Sequence, residues 1–147
     1  MFHHNKLDIQ QREKEGIDIL DLKGRLVLGA GDIALRDFVQ SLFDNGNRQL
    51  IHNLQEISEI DTSGMQVLLF LSEEYRKGGG KLVLCNVQPS HAEVYEMARL
   101  EAVVEIYRNE LDAVNSFFPD RAVSHYDILE YVESHVQPEP NPSEKSK

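Results

Sequence analysis

Ile57-Ser58-Glu59-Ile60-Asp61-Thr62-Ser63-Gly64-Met65-Gln66-Val67-Leu68-Leu69-Phe70-Leu71 changes character at its middle. Ile57 and Ile60 lead into Asp61-Thr62-Ser63-Gly64, and beyond it Met65, Leu68, Leu69, Ser72 and Tyr75 recur at helical spacing. A strand hands over to a helix there. The start of a helix exposes unpaired N–H groups and the positive end of its dipole. A phosphate on a hydroxyl at that place meets those same N–H groups, so Ser63 suits a charge switch. Gly64 leaves no side chain beside the hydroxyl and lets a kinase site come close. Asp, Thr and Ser are also favoured helix caps, so the four residues taken alone read more readily as a cap than as a switch.

Upstream, Leu7, Ile9 and Gln11 alternate with polar residues, Glu15-Gly16 marks a turn, and Ile17, Ile19, Leu20 and Leu22 follow. This predicts a hairpin, with a second turn at Lys23-Gly24 before a short strand at Leu26-Val27-Leu28. Asp32 is the expected N-cap of a helix carrying Leu35, Phe38, Val39, Leu42 and Phe43, which Asn45-Gly46-Asn47 stops. Gln49 to Leu54 is the next strand, and His52 within it reads as a structural histidine.

Downstream, the helix after Ser63 closes at Lys77 and Gly78-Gly79-Gly80, and Lys81 to Val87 is a strand. Pro89 opens a helix through Glu93, Val94, Met97 and Ala98. Val103 to Tyr107 is a short strand, and Asn109 caps a helix with Leu111, Ala113, Val114 and Phe117, stopped by Pro119. A hairpin followed by alternating β and α units predicts an α/β fold with a largely parallel sheet. Val123 to Val136 reads as an amphipathic helix that packs back on the domain or serves as a dimer or partner contact. The tail from Gln137 to Lys147 has almost nothing to bury and is expected to be disordered.

Composition narrows the function classes. The chain has 147 residues and is 41% apolar and 27% charged, as expected of one soluble domain. Its apolar runs fall far short of the roughly 20 residues that span a membrane, and Met1 to Lys6 lacks a secretory core. Cys85 stands alone in an apolar run and reads as a small buried hydrophobe, consistent with a reducing cytoplasm. A net charge of −10 argues against nucleic acid as a partner. It suits a basic protein partner or simply solubility, and charge alone does not separate the two.

The Ile57 to Leu71 stretch resembles the signature of the STAS family, the sulfate-transporter and anti-sigma-factor-antagonist domain. Leu22-Lys23-Gly24-Arg25-Leu26, Gly78 to Val87 and Leu100 to Tyr107 are similar to that family's other segments, in the same order, so the likeness covers about residues 7 to 118. It implies a STAS domain over residues 1–118, a C-terminal extension over 119–136 and the tail over 137–147. The implied fold is a mixed sheet with an N-terminal hairpin, parallel βα units and about four helices packed largely on one face. The resemblance further implies a cytoplasmic, partner-switching regulator of transcription. Ser63 matches the position phosphorylated in antagonist members by a serine kinase that doubles as an anti-sigma factor. A serine/threonine phosphatase resets it, and Asp61, Thr62, Ser63, Gly64 and Met65 form the partner-binding segment. ATP and metal belong to the partners, so no cofactor and no metal site is expected in this chain, nor any insertion into a membrane.

Two positions depart from the family's pattern. Val27 follows Gly24-Arg25-Leu26 where sigma-factor antagonists often carry an acid, and Asn53 stands where an aspartate is frequent. Val27 fits slightly better a second reading, a constitutive regulatory subunit beside a lipid-transport ATPase or in a stress-signalling assembly. Catalysis fits poorly. A hydrolase elbow reads Gly-x-Ser-x-Gly, whereas Asp61 stands two before Ser63, and only His91, His125 and His135 follow. The chain therefore reads as a non-enzyme.

Overall fold

Glu15 and Gly16 have φ values of 53° and 86°, two consecutive left-handed residues. That is the turn whose twist matches paired antiparallel strands, and it joins β1 (Leu7–Lys14) to β2 (Ile17–Leu26) with Lys14 opposite Ile17. The computed structural model describes residues 6–91 and 104–123. The helix expected after Pro89 falls, beyond a 3₁₀ turn at Pro89–His91, outside the described residues, as do segments 124–136 and 137–147.

No turn forms at Lys23-Gly24, and β2 runs through it to Leu26. Gly24 has φ of 111°, and the register against the next strand shifts on either side of it. A side chain on Gly24 would meet the Lys6 carbonyl oxygen at 2.3 Å. The glycine therefore serves a bulge inside a strand, where its backbone freedom and small size are both used. The reversal comes one step later, where Val27 and Ala30 exchange N–H···O bonds of 3.0 and 2.9 Å.

That tight loop also displaces the expected cap. Gly31, at φ 104°, occupies the N-cap position of α1 (Asp32–Asp44), and Asp32 is the first helical residue. Its carboxylate accepts from the Gly29 N–H at 3.1 Å and the Ile33 N–H at 2.8 Å, holding the loop against the helix.

Beyond α1 the chain continues as β3 (Gln49–Ile60), α2 (Thr62–Lys77), β4 (Lys81–Cys85), β5 (Glu105–Tyr107) and α3 (Glu110–Asn115). The sheet order is β1-β2-β3-β4-β5, antiparallel at the hairpin and parallel elsewhere. β3 extends six residues beyond the expected end at Leu54, and its buried residues Leu54, Ile57 and Ile60 fall three apart. Bulges in β2 accommodate that spacing.

Both faces of the central strands are apolar. Leu20, Leu22, Leu50, Leu54 and Leu84 meet Leu35 and Val39 of α1 and Met65, Leu68, Leu71 and Tyr75 of α2. Ile17, Ile19, Ile51, Val83 and Cys85 meet Ala113 and Val114 of α3, with Phe117 and Phe118 packed beside them. Each such fully buried Leu or Ile contributes roughly 1.5–3 kcal/mol. The expected layering is thus corrected: among the described residues there are three α-helices, two on one face and α3 on the other. Burial pushes the Cys85 thiol up to about 12, consistent with a packing role.

α3 begins at an Asn109 cap, whose side chain accepts from the Asp112 N–H at 2.8 Å. Its first residue is tied to the hairpin. The Arg12 guanidinium donates to Asp21 at 2.6 and 3.0 Å and to both carboxylate oxygens of Glu110. Hydrogen bonding to Arg12 holds both carboxyl groups below the usual range. Arg12→Gln is expected to cost about 1 kcal/mol at pH 7, since the pair is partly exposed. Carboxylates with depressed values stabilise only above roughly pH 4 and lose that contribution as pH falls. Urea midpoints of the two chains should therefore draw together as pH falls below the ordinary carboxylate range.

Candidate functional site

The site is built where the end of β2 meets the start of α2. Asp61 is extended, with φ −120° and ψ −174°, and forms the N-cap of α2. Its N–H donates to the Leu26 carbonyl oxygen at 3.4 Å, and its own carbonyl accepts from the Met65 N–H at 3.0 Å. One carboxylate oxygen accepts from the Gly64 N–H at 2.9 Å, which satisfies a donor of the first turn. The other accepts from the Leu28 N–H at 3.1 Å. A single side chain thus joins the start of α2 to the loop between β2 and α1.

Gly64 makes the junction close. A Cβ on it would lie 2.1 Å from the Leu26 carbonyl oxygen and 2.9 Å from Leu26 Cγ. Its bare α-carbon makes room for Leu26, not for an approaching partner, which corrects the role read from the sequence. Met65 is fully buried among the core leucines. Of the five residues in the segment, Thr62 is exposed, Ser63 and Asp61 are half-buried, and Gly64 and Met65 lie beneath them. The Ser63 hydroxyl stands two residues after the cap, in a first turn that contains no acid. The N–H dipoles of that turn favour negative charge.

Leu28 was not legible as a surface residue. Expected to end a strand, it sits at the tip of the loop and is 73% exposed. Ile33, in the first turn of α1, is 56% exposed, and Phe70, two turns after Ser63 on α2, is 46% exposed. The glycines at 29 and 31 were the available sign that the loop turns sharply. Val27 points inward and is buried. Asn53 lies in mid-strand, donating to Asp21 at 2.8 Å and accepting from Asn86 at 2.9 Å and the Gln55 N–H at 3.1 Å. It therefore belongs to a polar network centred on Asp21 and Arg12.

A cleft of about 580 Å³ is lined by Gly46, Arg48, Gly79, Lys81 and Phe117, beside the C-terminal ends of α1 and α2. Its cations are engaged: Arg48 donates to the Phe43 and Asn47 carbonyls, and Lys81 donates to that of Ser116 at 2.8 Å. Among the described residues no group of three or more His, Cys, Asp or Glu is placed to hold a metal ion. No helix among them is long and apolar enough to cross a membrane.

Comparison with known proteins gives a consistent result. A family model described as STAS domain matches residues 8–113. An anti-sigma F factor antagonist of Paenibacillus polymyxa is 24% identical over 108 residues, covering 74% of this chain and 92% of the relative. An anti-sigma factor antagonist from Mycobacterium paratuberculosis has a similar fold, with a TM-score of 0.67 at 14% identity, over 76% of this chain and 94% of its own. The Bacillus cell fate determinant SpoIIAA in its phosphorylated form matches with a TM-score of 0.57 at 20% identity, over 75% and 99% of the two chains.

Proposed function

Because this chain belongs to the STAS domain family, we propose that it is an anti-sigma-factor antagonist, a cytoplasmic interaction switch set by phosphate on Ser63. The observation that carries this reading is the half-buried Ser63 hydroxyl in the acid-free first turn of α2, whose Asp61 cap also binds the exposed Leu28. A serine kinase that doubles as an anti-sigma factor is the partner. It transfers the γ-phosphoryl group of ATP to Ser63 Oγ, with ADP leaving and the hydroxyl proton passing to a base of the kinase. A serine/threonine phosphatase hydrolyses the ester and resets the chain. This chain supplies the acceptor and the surface, and it is not itself an enzyme.

The unphosphorylated chain presents an uncharged Ser63 hydroxyl at the helix start to which Asp61 ties the exposed Leu28. Phosphate adds nearly two negative charges there and desolvates poorly in an interface. Support for a phosphorylated state comes from SpoIIAA, a relative in fold that exists in that form.

Incubation with the kinase and ATP, followed by phosphopeptide mass spectrometry, is expected to place one phosphate on Ser63. Phosphate found only at other residues would overturn the assignment. Ser63→Ala should bind the kinase like the unmodified chain, whereas the phosphorylated chain should bind on the order of 100-fold more weakly by calorimetry. The buried Val27, where an acid is frequent, favours the second reading as a constitutive regulatory subunit. Co-purification with a transporter ATPase, together with indifference to Ser63→Glu, would select it.

A further inference from the structure

Asp61 has two carboxylate oxygens and each is committed to a different element. One holds the Gly64 N–H inside α2, and the other holds the Leu28 N–H in the loop before α1. The loop keeps its own shape without Asp61. Val27 and Ala30 bond to each other across it, and the Gly29 N–H is held by Asp32. What Asp61 adds is the position of the loop relative to α2, and hence of the exposed Leu28 relative to Ser63.

We propose that Asp61 is a positioning residue that couples charge on Ser63 to the placement of Leu28. The proposal rests on Ser63 as the phosphate acceptor. A phosphate there brings nearly two negative charges and three acceptor oxygens to a helix start whose exposed N–H groups draw it in. The Gly64 N–H, one residue on, is held by Asp61, so phosphate and carboxylate share the same helix start. Drawn to that start, the phosphate repels the Asp61 carboxylate. Asp61 then turns away and releases the Leu28 N–H to water. The loop moves as a unit about Leu26-Val27, because its internal bonds do not depend on Asp61. Phosphorylation thereby changes two parts of the surface: it charges Ser63 and displaces the exposed, apolar Leu28.

The decisive variant is Asp61→Asn. Asparagine caps a helix as well as aspartate does, so its oxygen keeps the Gly64 N–H. Its amide nitrogen cannot accept, so the Leu28 N–H loses its partner. Phosphoserine is incorporated at position 63 during translation, which removes any need for a kinase, and amide exchange is followed by NMR on the full chain. In the natural background, phosphoserine at 63 should speed exchange of the Leu28 amide by about tenfold and leave the Ala30 amide unchanged. In Asp61→Asn the Leu28 amide should exchange fast already, with no further effect of phosphoserine and with the Gly64 amide still protected.

A Leu28 amide indifferent to phosphoserine in the natural background overturns the proposal. So does a phosphoserine effect on Leu28 that survives Asp61→Asn. A kinase that never modifies Ser63 is a different result: it sinks the switch reading, while the coupling measured on the phosphoserine chain stands or falls on its own amide data.

Discussion

Replacing Gly64 with Ala should destabilise the protein by about 2–3 kcal/mol, although alanine is the better helix former. On propensity alone the change would stabilise α2 by roughly 1 kcal/mol. Against this, the new methyl group would sit 2.1 Å from the Leu26 carbonyl oxygen. That oxygen cannot simply retreat, since it ends β2 and accepts from the Asp61 N–H. Relief requires α2 to move off the sheet edge, which strains the first turn and weakens both hydrogen bonds of the Asp61 carboxylate. Overpacking of this kind costs typically 1–3 kcal/mol, and loss of a cap about 1 more. Urea unfolding followed by circular dichroism measures the balance. An unchanged or raised midpoint would mean that α2 can step away from Leu26 freely, and that the close junction under Ser63 is not needed for the fold.

The second large effect concerns His52. It lies between Leu20 of β2 and Leu84 of β4 in the sheet, with no exposed surface. Neither ring nitrogen meets a hydrogen-bond partner among the described residues. Burial alone pushes its value from 6.5 down to about 3. The unfolded chain therefore takes up the proton first. The His52 contribution is intact above pH 6.5 and declines as pH falls from there toward 3. The loss reaches roughly 5 kcal/mol across that window, a large share of the roughly 5–15 kcal/mol that stabilises an ordinary domain. His52→Leu removes the titrating group and an unsatisfied buried polar ring together. At pH 7 it should stabilise by about 1 kcal/mol. Its acid-unfolding midpoint should lie at least about one pH unit lower. Coincident acid transitions for the two chains would show that the imidazole is solvated or paired in solution.

The Arg12 prediction works over a lower window, because its carboxylate partners titrate below His52's unfolded value. Acid unfolding of the natural chain should accordingly begin with His52 near pH 6. The ion pairs of Asp21 and Glu110 follow below roughly pH 4. The residues that read as ordinary core and surface in the sequence thus set the acid limit of the fold.

What could be read in the sequence was governed by local rules. Glu15-Gly16 marks a turn because two left-handed residues are needed there, and Asp61 and Asn109 mark helix starts because their side chains reach N–H groups three residues away. The passage from strand to helix at Asp61 followed from a change of hydrophobic spacing, and the resemblance around it named the family that the domain match bears out. Gly24, the length of β3 and the place of α3 were decided elsewhere. Gly24 looks like a turn until the Lys6 carbonyl is beside it, and β3 looks finished at Leu54 until the bulges of β2 allow burial at every third residue. Asp32 lost its cap to Gly31 because the loop from Val27 to Ala30 closes on itself.

The candidate segment divides in the same way. That Ser63 begins a helix under an Asp61 cap is a property of four consecutive residues, and the sequence by itself determined it. That Gly64 is bare for the sake of Leu26, that Met65 is out of reach, and that Leu28 stands exposed on the second oxygen of Asp61 are contacts between residues more than 30 positions apart. Only the tertiary structure decided them, because hydrogen bonds and steric limits between distant segments exist once the sheet has brought the end of β2 beneath the start of α2.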